Sequence, residues 1–162
     1  MADVEGLLRA LAQGGVEFIL VGGVAATAHG SARLTQDVDV VYSRSSDNLA
    51  RLASSLAAYS PYPRGAPPGL PFRWDEATLR RGLNFTLATA LGDLDLFGEL
   101  TGGGSYEDLL ADTISIRVFA VECRCLGLEG LIRVKRAVGR PKDLEAIAEL
   151  EALREERDRG ER

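Results

Sequence analysis

Phe18-Ile19-Leu20-Val21-Gly22-Gly23, followed after thirteen residues by Asp37-Val38-Asp39-Val40, is the stretch whose reading decides the fold. The first four residues read as a buried strand that runs into a glycine pair. Residues 24–30 then turn through one short helix, and the chain returns as a strand over 38–42. Alternate side chains of a strand share a face, so Asp37 and Asp39 point the same way. Like charges set side by side raise the free energy unless a cation lies between them. Two carboxylates facing a glycine turn, whose bare N–H groups can cradle phosphate, suit magnesium and a nucleotide.

An Asp-x-Asp pair alone says little. With 11 Asp in 162 residues, about 0.7 such pairs arise by chance, the usual weakness of a short motif. The sequence holds two, Asp37/Asp39 and Asp93/Asp95. Strand context strengthens both, because Asp is depleted in strands and each pair sits inside an apolar alternation. Leu91-Gly92-Asp93-Leu94-Asp95-Leu96-Phe97 reads as a neighbouring strand that brings a third carboxylate to the first two. Buried charges without partners are costly, so strands that tolerate these residues are expected to end at a functional rim. The bland alternative is a set of edge or turn aspartates facing water.

Size and composition bound the rest. The chain has 162 residues, 46% hydrophobic and 27% charged, the balance of an ordinary globular domain with one substantial core. No apolar run is long enough to span a bilayer, and Met1-Ala2-Asp3-Val4-Glu5 carries no basic leader. These features predict a cytoplasmic protein without a membrane partner. Cys123 and Cys125 lie two apart and read as reduced thiols on one strand face, and two Cys with a lone His make no zinc site. The formal net charge of −5 excludes a generally basic nucleic-acid binder. Arg133, Lys135, Arg136, Arg140 and Lys142 nevertheless fall within ten residues, a cluster able to meet phosphates.

Along the chain, Val4–Gln13 is an amphipathic helix ended by Gly14-Gly15. Ser45-Ser46-Asp47 caps a helix over 47–58. Residues 60–71 hold five prolines and two glycines and are expected to form a long loop without regular structure. A helical turn at 75–81, a hairpin of strands 83–90 and 93–97, a short helix at 106–111, strand-like runs over 114–126, and helices 128–138 and 141–157 complete the order. The expectation is an α/β (α+β) fold with helices on one face of a small mixed β-sheet. It forms a single domain over 1–153 and a charged, fraying tail over 154–162.

Strand, Gly-Gly, helix and Asp-x-Asp, with a later apolar-Asp-apolar strand, resemble the DNA polymerase β-like nucleotidyltransferase superfamily. The resemblance is to its small bacterial branch of AbiEii-type toxins and minimal nucleotidyltransferases, and it covers roughly residues 15–145. It implies a nucleotidyltransferase-like fold and transfer of a nucleoside monophosphate from an NTP to a hydroxyl. Gly22 and Gly23 would hold the triphosphate, and Asp37, Asp39 and Asp95 would be the catalytic, metal-binding carboxylates. Many members carry Gly-Ser where this chain has Gly22-Gly23, so a hydroxyl contact to phosphate is absent while the backbone contact survives. The implied cofactor is Mg2+, as two ions, with Mn2+ as a substitute. The implied partners are ATP or a pyrimidine NTP, an acceptor that is RNA, protein or a small molecule, and a cognate toxin or antitoxin. Leu131–Asp143 resembles the basic element of the AbiEii-like branch, which makes Lys135 and Lys142 the candidates for phosphate contacts and Arg140 a weaker one. The competing reading is a non-catalytic interaction module of the same fold; a degenerate member would have lost carboxylates, and all three are present.

Other residues carry two readings each. His29 could contact phosphate or acceptor, or be a surface or capping histidine. Arg33 and Thr35 flank the approach to Asp37. Asn84 and Thr86 could line the cleft, and Asp93 shares a face with Asp95 but reads as a turn residue. Trp74 reads as a core or lid residue, and Asp143 as a helix N-terminal charge. The phosphate-loop motif G-x-x-x-x-G-K-[ST] and the dinucleotide motif G-x-G-x-x-G are both missing.

Overall fold

The computed structural model describes residues 3–31 and 37–160. Arg33 and Thr35 lie outside the described residues. The first helix, α1 (Val4–Gln13), is capped by the Asp3 carboxylate, which accepts from the Gly6 N–H at 2.8 Å. It buries Leu7, Leu8 and Leu11, the stripe its spacing predicts. Then follow β1 (Phe18–Val21), α2 (Gly22–Ala28), β2 (Asp37–Tyr42) and α3 (Ser46–Leu56), the last capped by Ser45. A short 3-10 turn leads to β3 (Tyr62–Pro63), α4 (Glu76–Arg81), β4 (Phe85–Thr89) and β5 (Gly92–Phe97). The two-residue pair β6 (Glu99–Leu100) and β7 (Gly104–Ser105) precedes α5 (Tyr106–Leu109). The chain closes with the hairpin β8 (Thr113–Val118) and β9 (Val121–Leu126), then α6 (Leu128–Val138) and α7 (Pro141–Gly160).

Seven strands form one mixed sheet in the order β3-β4-β5-β2-β1-β9-β8. The order matters because β2 lies at the centre, antiparallel to β1 and parallel to β5. All four residues of β1 are buried, as are Val38, Val40, Val41 and Tyr42 of β2. A strand buried at successive residues is covered on both faces. The mixed sheet with helices packed on it is the architecture expected, with β1 covered on both of its faces. The continuous apolar run Phe18–Val21 carried that information, because an exposed face would have required alternation.

Two expectations are corrected. Residues 60–71 do contain a regular element, because Tyr62 and Pro63 pair with Ala88 and Leu87 of β4. Proline is tolerated there because β3 is the edge strand, where a missing N–H breaks no ladder. The last helix runs to Gly160, beyond 157, and Arg157 reaches back to the Glu129 carboxylate of α6 at 2.7 Å.

Candidate active site

The acidic site follows from register. Val21 pairs with Asp39 across β1 and β2, which sets the glycine pair one step beyond that carboxylate. Asp37 pairs with Asp93, and Asp39 with Asp95, across β2 and β5. All four aspartates thus lie on one face of two adjacent central strands. Asp37, Asp39 and Asp95 each offer a carboxylate oxygen, and these oxygens all lie within 4.8 Å of one another. The intervening Val38 and Leu94 are fully buried on the opposite face.

Gly22 is fixed by its neighbourhood as much as by any ligand. Its φ is +69°, which side-chain-bearing residues rarely adopt. A Cβ there would stand 2.1 Å from Asp39 Oδ2 and 2.9 Å from Asp39 Cβ. The helix accordingly starts at Gly22, two residues earlier than the sequence pattern predicts. No side chain caps its N-terminus, and α2 lies against β1, β2 and α6. Gly22 and Gly23 both face the acidic cleft.

Asp39 is partly buried, and its acidity departs clearly from the ordinary carboxylate value. Its carboxyl is pushed from 3.8 up to about 7, first by burial, then by a hydrogen bond and charge shared with Asp95, then by the charge of Asp37. The Lys135 ammonium opposes the shift. Its Oδ1 is buried with no hydrogen-bond partner among the described residues. A converging set of carboxylate oxygens, one of them orphaned, fits a hard divalent cation, which takes oxygen ligands and offsets the mutual repulsion.

The opposite wall comes from α6 and the start of α7. Gly139, at φ +68°, ends α6 with its N–H on Lys135 O at 3.0 Å, and Pro141 then starts α7. That tight corner folds Lys135, Arg140, Lys142 and Asp143 into one side of a cleft of about 650 Å³ that also holds the acidic triad. Phe97, Leu100, Val134 and Val138 give it an apolar lining. Asp143 is only 1% exposed and is surrounded by donors. Arg140 contributes its N–H at 3.2 Å, Nε at 2.7 Å and Nη2 at 3.3 Å, and Lys135 Nζ lies at 3.4 Å. These bonds, those of Arg140 first, hold the Asp143 carboxyl below the usual range.

The basic run therefore divides. Lys135, Arg140 and Lys142 line the cleft, whereas Arg133 pairs with Asp112 at 3.0 Å and Arg136 with Glu151 at 2.7 Å. His29 ends α2 with Nε2 3.0 Å from Leu126 O, beside a separate cavity of about 400 Å³. Of its two readings, the capping one agrees with this position. Trp74 donates to Ala53 O at 2.9 Å as a packing residue. Asn84 reaches the cleft and accepts from Gly98 N at 2.9 Å, while Thr86 pairs with Asp95 across β4 and β5 but does not line it. Both cysteines are free and buried, and burial pushes the Cys125 thiol up to about 12.

One residue escaped the sequence reading. Arg64, just beyond β3, places Nη2 2.8 Å from Asp95 Oδ1 and Nε 3.3 Å from Asp93 Oδ2. The expectation of a shapeless loop hid it, because only the Tyr62–Pro63 pairing aims this side chain at the acidic face.

With that geometry in hand, comparison with known proteins is informative in one direction. No family model matches the chain, and no curated protein matches it in sequence. The crystal structure of a candidate nucleotidyltransferase from Thermotoga maritima does match, with a TM-score of 0.52 over 96% of this chain and 91% of that one. The chain has a nucleotidyltransferase-like fold. Sequence identity to that neighbour is 13%, so the likeness is one of architecture. Among the described residues, no helix of this nucleotidyltransferase-like fold is long and apolar enough to cross a membrane.

Proposed function

We propose that this chain is a magnesium-dependent nucleotidyltransferase, moving a nucleoside monophosphate from an NTP to a hydroxyl acceptor. The observation that carries the proposal is the convergence of Asp37, Asp39 and Asp95, with one oxygen of Asp39 left without a hydrogen bond among the described residues, in a cleft also lined by Lys135, Arg140 and Lys142. The nucleotidyltransferase-like fold supports the same reading.

Asp37, Asp39 and Asp95 would hold two Mg2+ ions, which would neutralise phosphate charge and stabilise attacking and leaving oxygens. The chain's own groups supply the rest. Gly22 and Gly23 present backbone N–H groups to the β- and γ-phosphates, and Lys135 and Lys142 meet phosphate oxygens from the facing wall. Asp95, carried by the neighbouring strand β5, takes the acceptor's proton. The acceptor oxygen forms a bond to the α-phosphorus as the bond to pyrophosphate breaks. The acceptor is RNA, a protein or a small hydroxylated molecule, and the protein works in the cytoplasm of a bacterium beside a cognate toxin or antitoxin. ATP or a pyrimidine NTP is the donor.

The test is incubation with Mg2+ and each α-labelled NTP in the presence of total RNA or co-purifying protein. Pyrophosphate release and transfer of label are expected from the wild type and not from Asp37→Ala/Asp39→Ala. Equal behaviour of the two against every acceptor would remove the enzymatic reading and leave the interaction module. In parallel, Mg2+ with the preferred NTP should raise the melting temperature of the wild type alone.

A further inference from the structure

Four aspartates share the acidic face, yet only three converge. Arg64 lies against the two that β5 supplies. Its guanidinium lies between the two carboxylates of β5: Nη2 hydrogen-bonds Asp95 and also donates to Leu87 O of β4 at 2.9 Å, while Nε, 3.3 Å from Asp93, forms an ion pair without a hydrogen bond. The backbone N–H of Arg64 continues the edge pairing onto Thr86 O at 3.0 Å. The side chain is therefore anchored at both ends, by the sheet edge and by the acid pair. The loop behind it is organised as well: Tyr62 Oη takes the Leu70 N–H at 3.2 Å and donates to Pro67 O at 2.5 Å, and its ring meets Phe72 edge-on at 6.0 Å.

We infer that Arg64 is a positioning residue of the site: it neutralises Asp93, holds Asp95 by one oxygen, and so presents three carboxylates to a cation instead of four. The inference rests on the nucleotidyl-transfer reading. A planar guanidinium can serve two carboxylates at once, which a lysine ammonium does less well. Because Asp95 has a second oxygen, the clasp and a cation can occupy it together. Arg64 accordingly stays in place when the site fills. The opposite arrangement, in which the cation displaces Arg64 and frees the loop, is the outcome that would overturn the proposal.

Trypsin reads the difference directly, since it must take the Arg64 side chain to cut Arg64–Gly65. The exposed Arg73 gives an internal reference at Arg73–Trp74, and general unfolding would raise both cuts together. In metal-free wild type the Arg64 cut is expected to be the slower. Asp93→Asn/Asp95→Asn should raise its ratio to the Arg73 cut by roughly fivefold or more, as local protection is lost. Addition of Mn2+ with α,β-methylene-ATP should leave the wild-type ratio within about twofold; a rise to the double-variant level overturns the inference. For an NTP and acceptor that the wild type turns over, Arg64→Met should lower kcat about tenfold with little change in KM for the NTP. Arg64→Lys should restore part of it, and an unchanged or increased kcat in Arg64→Met also overturns it. A wild type that shows no thermal response to Mn2+ with the analogue defeats the nucleotidyl-transfer reading instead, while the metal-free digestion still reports on the clasp.

Discussion

Two carboxylates line the same cleft, both drawn away from solvent, and their acidities move in opposite directions. Asp143 receives four donor contacts from Arg140 and Lys135 and is held below the usual carboxylate range. Asp39 faces two other carboxylates, keeps an oxygen without a hydrogen-bond partner among the described residues, and is pushed up to about 7. Burial alone raises both, so the sign is decided by neighbours. Asp143 is complete within the chain and works as an anchor for the basic wall. Asp39 is complete only when something cationic arrives, which is how a site differs from a structural ion pair.

The largest way to break this contrast is through Gly22, which encloses Asp39. Gly22→Ala combines a left-handed φ with a Cβ 2.9 Å from Asp39 Cβ, a clash that rotation of the carboxylate cannot relieve. The expected loss is about 3 kcal/mol, or roughly 6–12 °C in melting temperature. A melting curve that does not move would show that Asp39 is not enclosed as described. Asp143→Asn comes next. It keeps the shape but removes the charge that organises Arg140 and Lys135, both partly exposed, so the cost is about 1–3 kcal/mol near neutral pH. The sign with pH follows from the depressed acidity. The stabilisation is fully present above the unfolded carboxylate value of 3.8 and lost as pH falls through the lower folded value, so wild type and variant should converge in strong acid. Chemical denaturation across that range checks it.

How much of this was legible beforehand depended on whether the determining contacts were local. The strand–Gly-Gly–helix unit, the two Asp-x-Asp strands and helix α6 were readable, because alternation, caps and punctuation act within a few residues. The pairing of Asp39 with Asp95 could be required by the proposed chemistry, yet it is fixed by register between strands more than fifty positions apart. Arg64 was invisible for the same reason: five prolines and two glycines read as a loop, and only the edge of β4 turns Tyr62–Pro63 into a strand. The basic run looked uniform in sequence, but helical geometry sends Arg133 and Arg136 to other partners. Burial of β1 on both faces is written in its unbroken apolar run, where an exposed face would alternate.

The smallest predicted effect sharpens the comparison most, because its sign is opposite to that of Asp143→Asn. With a folded value near 7 against 3.8 unfolded, the native state keeps a proton on Asp39 that the unfolded chain has already lost. Stability contributed by this group therefore falls as pH rises between about 4 and 7, and the penalty is complete above 7. Asp39→Asn removes the penalty, since an amide needs no proton to be neutral. The metal-free variant should match wild type near pH 4 and exceed it by about 1–2 kcal/mol at pH 8, some 2–8 °C in melting temperature. Adding Mg2+ at pH 8 should then raise the wild type and leave Asp39→Asn nearly unmoved, closing or reversing the gap. If the variant is instead the less stable one at pH 8 without metal, Asp39 is satisfied within the chain as Asp143 is, and the contrast between the two carboxylates fails.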